Sequence, residues 1–331
     1  MNKQFHNVTA PFRGLGVKPA TRNPQPETRY SNYNQMLKEQ FANRVQKISI
    51  HAGFTCPNRD GSKGVGGCTY CNNQTFVPGY CKPIKSITQQ IEEGIQFFQK
   101  KEKYANQVYL AYFQSYTNTY DSIDNLRTIY DEALQHPRIK GIVVGTRPDC
   151  VNDAILDYFA EIAQHHYVMI EYGIESTDDN TLVFINRGHD YQCAVDAIHA
   201  TARRGINTAA HLILGLPGES KETILSHAHK LNELPLTALK LHQLQLVRGT
   251  IMAKQYKSNP ELFHLFQLDE YIDLVVDFLE RLSPKIAIER FVSQSPKAFI
   301  IAPDWGVKNF EFVDKVNKRM RERGSWQGKG C

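Results

Sequence analysis

The chain has no uninterrupted apolar run of about 18 residues and no charged-then-apolar leader, so neither a membrane span nor a secretory signal is expected, and the default compartment is the cytoplasm. Nor does one sign of charge dominate: 39 Lys and Arg against 34 Asp and Glu leave a net +5 and a pI near 8.7, a mild help to an anionic partner and no more. A disulfide framework is also missing. Seven cysteines, odd in number and irregular in spacing, point instead to metal or thiol chemistry in a reducing compartment. With 41% hydrophobic and 22% charged residues the composition excludes a disordered or collagen-like chain. Its 331 residues suffice for about two domains, or for one large α/β barrel with extensions.

Residues 1–30 carry four prolines, Gly14 and Gly16 and little hydrophobic periodicity, and read as a mobile arm. A helical pattern follows from Tyr33 to Arg44, then an alternating strand from Val45 to His51. Strand-like runs at 107–114, 139–145, 167–174, 207–214 and 237–246 take turns with amphipathic runs at 85–101, 121–135, 151–164, 190–204 and 219–233. That makes six βα units, short of the eight in a complete barrel, and predicts an α/β fold of the partial, TIM-like (β/α)6 barrel kind. Residues 31–252 would form this barrel. The extension at 253–331 would hold a helix at 268–281, a further strand at 285–291 and a basic helix at 311–323.

Between the first strand and the first crossover helix lies a loop at 53–71 containing CPNRDGSKGVGGCTYC, in which Cys56, Cys68 and Cys71 have the spacing C-x11-C-x2-C. Three soft thiolates on a glycine-rich loop can converge on one metal centre. Spacing alone serves an iron–sulfur cluster and a structural zinc equally, and Cys81 could supply the fourth thiolate of a closed zinc site. A dithiol redox pair at Cys68 and Cys71 leaves Cys56 unexplained.

With Tyr70 preceding the last cysteine, the loop resembles that of the radical S-adenosylmethionine (radical SAM) superfamily. AYFQSYT, GTRPDC, IEYGIES, INRGHD, HLILGLPGE and LKLHQLQLVRGT follow in order over about residues 46–252, and together they are similar to the YhcC-like branch, which is related to the radical-SAM domain of the Elongator catalytic subunit. The resemblance implies that Cys56, Cys68 and Cys71 bind three irons of a [4Fe–4S] cluster. The fourth iron is chelated by SAM, and one electron splits SAM to methionine and a 5′-deoxyadenosyl radical. It also implies a reductase or a flavodoxin- or ferredoxin-type electron donor.

Glu171, Gly173 and Glu175 alternate on one strand face, so two carboxylates would line a hydrated or ligand-filled interior, or meet the rim or a lysine. By the resemblance, Glu175 meets the SAM ribose and Arg187, twelve positions on, its carboxylate. His211 stands where some relatives carry an acidic residue that assists SAM binding, and is otherwise a core histidine. Gln114 and Ser115 stand near the place of a Gly-Gly-Glu motif that meets the SAM amino group. Arg147 and Asp149 follow the third strand at the active-site rim, as SAM or substrate contacts or as a structural ion pair. Lys240 and His242, two apart on the sixth strand, are substrate-side candidates, and Cys150 is the thiol to test for chemistry; Cys193 and Cys331 have no assigned role.

By the same resemblance the expected substrate is RNA, with the wobble-uridine side chain of tRNA foremost. A small molecule is the alternative, and a zinc-stabilised RNA-binding protein is the non-enzymatic one. The basic tail with Lys315, Lys318, Arg319, Arg321, Arg323 and Lys329 could track phosphates or form a solvated helix face. About 79 residues follow position 252, too few for an acetyltransferase domain.

Overall fold

The computed structural model describes residues 29–331, except 76, 100–106 and 294. Most of the expected N-terminal arm therefore lies outside the described residues. Its last two positions are tied down: Arg29 donates to the Ser325 carbonyl and Tyr30 is buried in the main core.

Seven parallel strands form the curled sheet of a partial barrel, in the order β1 (Val45–Ile50), β2 (Val108–Phe113), β3 (Ile139–Thr146), β4 (Tyr167–Glu175), β5 (Asn207–Leu214), β6 (Ala238–Gln243) and β8 (Ala287–Arg290). A short β7 (Leu246–Val247) pairs separately with β9 (Ile300–Ala302). Strand β8, from the C-terminal part of the chain, joins the barrel sheet beside β6.

The period-2 pattern explains the layering. Ile48, Phe113, Val144, Ile170, Leu212, Leu241 and Ile288 face outward into one core shared with the crossover helices α2 (Ile87–Gln99), α3 (Ile123–Gln135), α4 (Asp153–Ala163), α6 (Tyr191–Arg203) and α7 (Lys221–Asn232). The opposite faces of the strands contribute Leu110, Tyr112, Val143, Met169, Ala209, Ala238 and Ala287, which pack on Tyr33 and Leu37 of α1 (Tyr33–Phe41) and close the bottom of the concave side. Helix α1 ends earlier than its pattern predicts, at Ala42, which takes a left-handed conformation with φ 54°.

Two short helices carry no strong sequence signal: α5 (Asp179–Phe184), capped by Asp178, and α8 (Ile251–Ser258), capped by Thr250. Helices α9 (Leu268–Arg281) and α10 (Asn309–Glu322) pack against each other. The basic tail is engaged only in part. Phe312, Val316 and Met320 are buried, while Arg319 and Arg323 bind Asp273 and Arg323 also binds Asp277, so these two guanidiniums serve α9 rather than a free phosphate strip.

Candidate functional site

The cysteine loop is fastened from both sides. The Thr69 amide donates to the Ile185 carbonyl and the Thr69 carbonyl accepts from the Met252 amide, so the residue between two cysteines is held between α5 and α8. Inside the loop, Gly67 sits at φ 78°, where a Cβ would come within 2.8 Å of Arg59 Nε. Cys56, Cys68 and Cys71 are free thiols that line one cavity at the C-terminal ends of the strands. Hydrogen-bond donors approach two of the sulfurs: Asn58 Nδ2 lies 3.6 Å and Arg187 Nη1 3.4 Å from Cys68 Sγ, and Asn73 Nδ2 3.6 Å from Cys71 Sγ. Burial and the neighbouring Cys68 push the Cys71 thiol up to about 11, so loss of its proton would accompany metal binding.

Cys81 is not part of this set. Its Sγ donates to the Ser49 carbonyl at 2.8 Å, burial pushes its pKa up to about 12, and it does not line the cavity. The expected fourth thiolate of a closed zinc site is therefore corrected. Among the described residues, no three His, Cys, Asp or Glu side chains gather around a single ion.

Beside the thiols stand Glu175 and Arg187, both lining the cavity. A bulge between Gly173 and Glu175 ends the regular pairing of β4, and Glu175 takes φ 73°, a conformation uncommon for a side-chain-bearing residue. Gly173 makes room for this: a Cβ there would lie 2.6 Å from Glu175 Oε1 and 2.9 Å from Arg187 Nη2. Arg187 is buried rather than an exposed helix-end residue; it donates to Cys68 and to the Gly173 carbonyl, and its buried Nε has no partner. Burial opposes its charge, but Cys68, Tyr70 and Glu175 hold it firmly protonated. Tyr70 also lines the cavity.

Arg147 grips Asp149 through two hydrogen bonds of 2.8 and 3.0 Å and the Arg187 carbonyl at 2.8 Å, so the ion-pair expectation for this turn is met. It lines the cavity as well, with Nη1 buried and unpartnered. Cys150 lies outside the lining; its Sγ faces Asp149 Oδ1 at 3.7 Å and burial pushes its thiol up to about 12, a poor setting for a reactive thiolate. Gln114 lines the cavity; Ser115 is buried and does not.

Glu171 and His211 belong to a neutralised layer of charge beneath the cavity, whose Lys47 and Glu289 line a second cavity. Glu171, fully buried, accepts from Lys47 at 2.8 Å, Lys240 at 2.5 Å and His211 Nε2 at 3.1 Å. Glu289 on β8 accepts from Lys47 at 2.7 Å and lies 3.3 Å from Lys240. Burial resists the ionised form of Glu171, but the two lysines and His211 hold its carboxyl well below the usual range. Lys240 is pulled down by burial to about 8 against the attraction of both carboxylates, and so keeps its proton at pH 7. Lys240 is thus a floor residue bonded to Glu171 and Tyr112 rather than a substrate-facing one, whereas His211 and His242 do line the cavity. Gln245, within the LKLHQLQLVRGT segment but not singled out there, lines it too.

Three thiols, two of them approached by N–H donors, with no fourth thiol in the lining, fit a [4Fe–4S] cluster that keeps one iron for an exogenous ligand, and Glu175, Arg187 and Arg147 lie beside them for a polar one. Residues 55–231 match the family model described as Radical SAM superfamily, and residues 236–322 that of the Radical_SAM C-terminal domain. The chain belongs to the radical SAM superfamily. It is 35% identical to the uncharacterized protein YtqA of Bacillus subtilis over 93% of this chain and 95% of that one, and 33% identical to Protein YhcC of Escherichia coli over 87% and 91%. A 27% match to a tRNA uridine(34) acetyltransferase of Dehalococcoides mccartyi covers 55% of this chain and 39% of that protein. The fold is that of the archaeal Methanocaldococcus infernus Elp3, with a TM-score of 0.65 at 15% identity over 86% of this chain and 64% of that one. As a radical SAM enzyme the chain uses a [4Fe–4S] cluster and SAM; when bound, these supply the electron and the 5′-deoxyadenosyl radical for hydrogen abstraction. Among the described residues no helix is long and apolar enough to cross a membrane.

Proposed function

We propose that this radical SAM enzyme modifies RNA, and that its target is the side chain of the tRNA wobble uridine. The observation that carries the reading is the character of the cavity away from the cysteines. Gln114, His211, His242, Gln243, Gln245 and Ser293 line it with uncharged or hydrogen-bonding groups, while the ionised floor residues neutralise one another. Such a lining suits a neutral heterocycle better than a small anionic metabolite, whose charge would require an unpaired cation. The similarity to a protein named a tRNA uridine(34) acetyltransferase supports the same direction.

In this reading Cys56, Cys68 and Cys71 bind the cluster, Glu175 accepts from the SAM ribose and Arg187 meets the SAM carboxylate. Arg147 lines the same end of the cavity and adds positive charge beside that carboxylate. The backbone at Gln114 takes the SAM ammonium, and Tyr70 walls the cavity against water. An electron-carrier protein or reductase is the required partner. The test compares the nucleosides of tRNA from cells with and without the protein. Loss of one wobble-uridine derivative is expected; an unchanged nucleoside profile would turn the reading toward a small molecule.

A further inference from the structure

We infer that His211 is a proton acceptor in the cavity, working from Nδ1 on an O–H or N–H of the substrate. The inference rests on the RNA reading above only for the source of the proton, a group on the target nucleoside. Strand β5 sets His211 in register with Gly173 of β4, and the Gly173 carbonyl accepts from Arg187. Adjacent strands lie about 4.8 Å apart. The imidazole therefore stands one strand away from the carbonyl that anchors Arg187, the guanidinium assigned above to the SAM carboxylate.

The tautomer follows from the partner. Burial opposes the charge of Glu171, but Lys240, Lys47 and His211 keep its carboxyl ionised. A carboxylate has no proton to give, so in the 3.1 Å contact between His211 Nε2 and Glu171 Oε2 the ring is the donor. Lys47 and Lys240 already balance Glu171 and Glu289, so this third bond requires an N–H and not a positive charge. With the N–H on Nε2, the neutral ring carries its lone pair on Nδ1.

That nitrogen is open to the cavity. It has no partner among the described residues, and it is not sealed from solvent as His242 Nε2 is. The His211 side chain keeps 16% of its surface accessible and lines the cavity that holds the three thiols. One ring face is covered by His242, with centroids 5.7 Å apart and planes at 24°. Burial first, then the charges of Arg290, His211 and Lys240, keep His242 neutral, so it adds no charge against a proton arriving on His211.

A histidine backed by a buried carboxylate and open at its other nitrogen is placed to act as a general base. In the transfer the substrate O–H or N–H bond breaks with its electron pair left on the substrate, and an N–H bond forms at Nδ1. The imidazolium so formed lies against Glu171 and returns the proton to water before the next turnover.

Two arms test this on the cluster-reconstituted protein. In the first, diethyl pyrocarbonate acylates accessible, unprotonated imidazole nitrogens, and tryptic peptides are read by mass spectrometry; the peptide 205–221 contains His211 as its one histidine. His211 should be acylated, and an unreacted His211 would overturn the inference whatever the substrate. In the second, reduced protein is given SAM and tRNA from cells that lack it, and the modified nucleoside and SAM affinity are measured. His211→Gln keeps a donor for Glu171 but has no basic nitrogen, so product formation should fall about a hundredfold with SAM affinity at the wild-type value. His211→Ala should lose as much and regain part of it when imidazole is added, a rescue that a structural role would not give. Wild-type product formation in His211→Gln, or a loss matched by weakened SAM binding, would overturn the proton role and leave the RNA reading standing. A wild type that modifies no tRNA would overturn the RNA reading, and acylation of His211 then decides the inference.

Discussion

Replacing Glu171 by glutamine would test the floor of the site. The substitution preserves shape but removes the negative charge on which Lys47, Lys240 and His211 converge. Breaking a buried ion pair by deleting one partner costs about 3–5 kcal/mol, because a desolvated charge is left behind. Glu289 still lies 2.7 Å from Lys47 and 3.3 Å from Lys240, so the two cations keep one carboxylate between them and the lower end, about 3 kcal/mol, applies. That is a large part of the 5–15 kcal/mol by which domains of ordinary size are stable. Urea unfolding at pH 7 should show a lower midpoint with an unchanged slope. The double variant Glu171→Leu with Lys240→Met retains the neutral Lys47–Glu289 pair and should be more stable than Glu171→Gln alone. A Glu171→Gln protein within about 0.5 kcal/mol of wild type, or a double variant whose losses simply add, would refute the charge-neutral floor.

Gly173→Ala would drive a Cβ to within 2.6 Å of Glu175 Oε1 and 2.9 Å of Arg187 Nη2; a stability loss of about 1–3 kcal/mol is expected, with a fall in SAM affinity measured by equilibrium dialysis, and wild-type affinity would contradict the proposed SAM contacts. At Asp149 burial favours the neutral acid, but Arg147 and Lys63 outweigh it and hold the carboxyl well below the usual range. The folded-state pKa is therefore below the unfolded one, and the stabilisation is complete above about pH 4 and disappears as pH falls toward the folded value. Asp149→Asn should accordingly be less stable than wild type at pH 6, with the difference shrinking below about pH 4 in acid titrations of the unfolding midpoint. Arg319→Gln and Arg323→Gln break partly exposed pairs with Asp273 and Asp277, so each should cost about 0.5–1 kcal/mol and leave RNA affinity unchanged; a loss of RNA binding would restore the tail as a phosphate strip.

The fold was legible where period and length agree. The alternation in NTAAHLIL and the amphipathic run at 268–281 give β5 and α9 with the bounds observed, because one face of each is apolar and the other meets a different environment. The cysteine loop was legible because three like ligands at fixed spacing have few explanations. What escaped the sequence depends on contacts distant along the chain. Lys240 looked substrate-facing beside His242, yet the neighbouring strands place Glu171 against its ammonium, a pairing 69 residues apart. Gln245 was not separable from its neighbours in LKLHQLQLVRGT because nothing local shows that Gln243 is occupied by the distant Ser293 backbone. Nothing local to Arg319 and Arg323 shows that Asp273 and Asp277 on α9 stand opposite them.

The most direct measurement is release of 5′-deoxyadenosine from SAM by anaerobically reconstituted, dithionite-reduced protein, made in parallel for wild type, Cys56→Ala, Cys68→Ala, Cys71→Ala and Cys150→Ala. Iron content and the cluster absorption band are read on the same samples. Wild type and Cys150→Ala should hold a [4Fe–4S] cluster and release the nucleoside, and the other three should do neither. A wild-type protein that binds one zinc in place of iron and leaves SAM intact, or a Cys68→Ala protein that still cleaves it, would contradict the account.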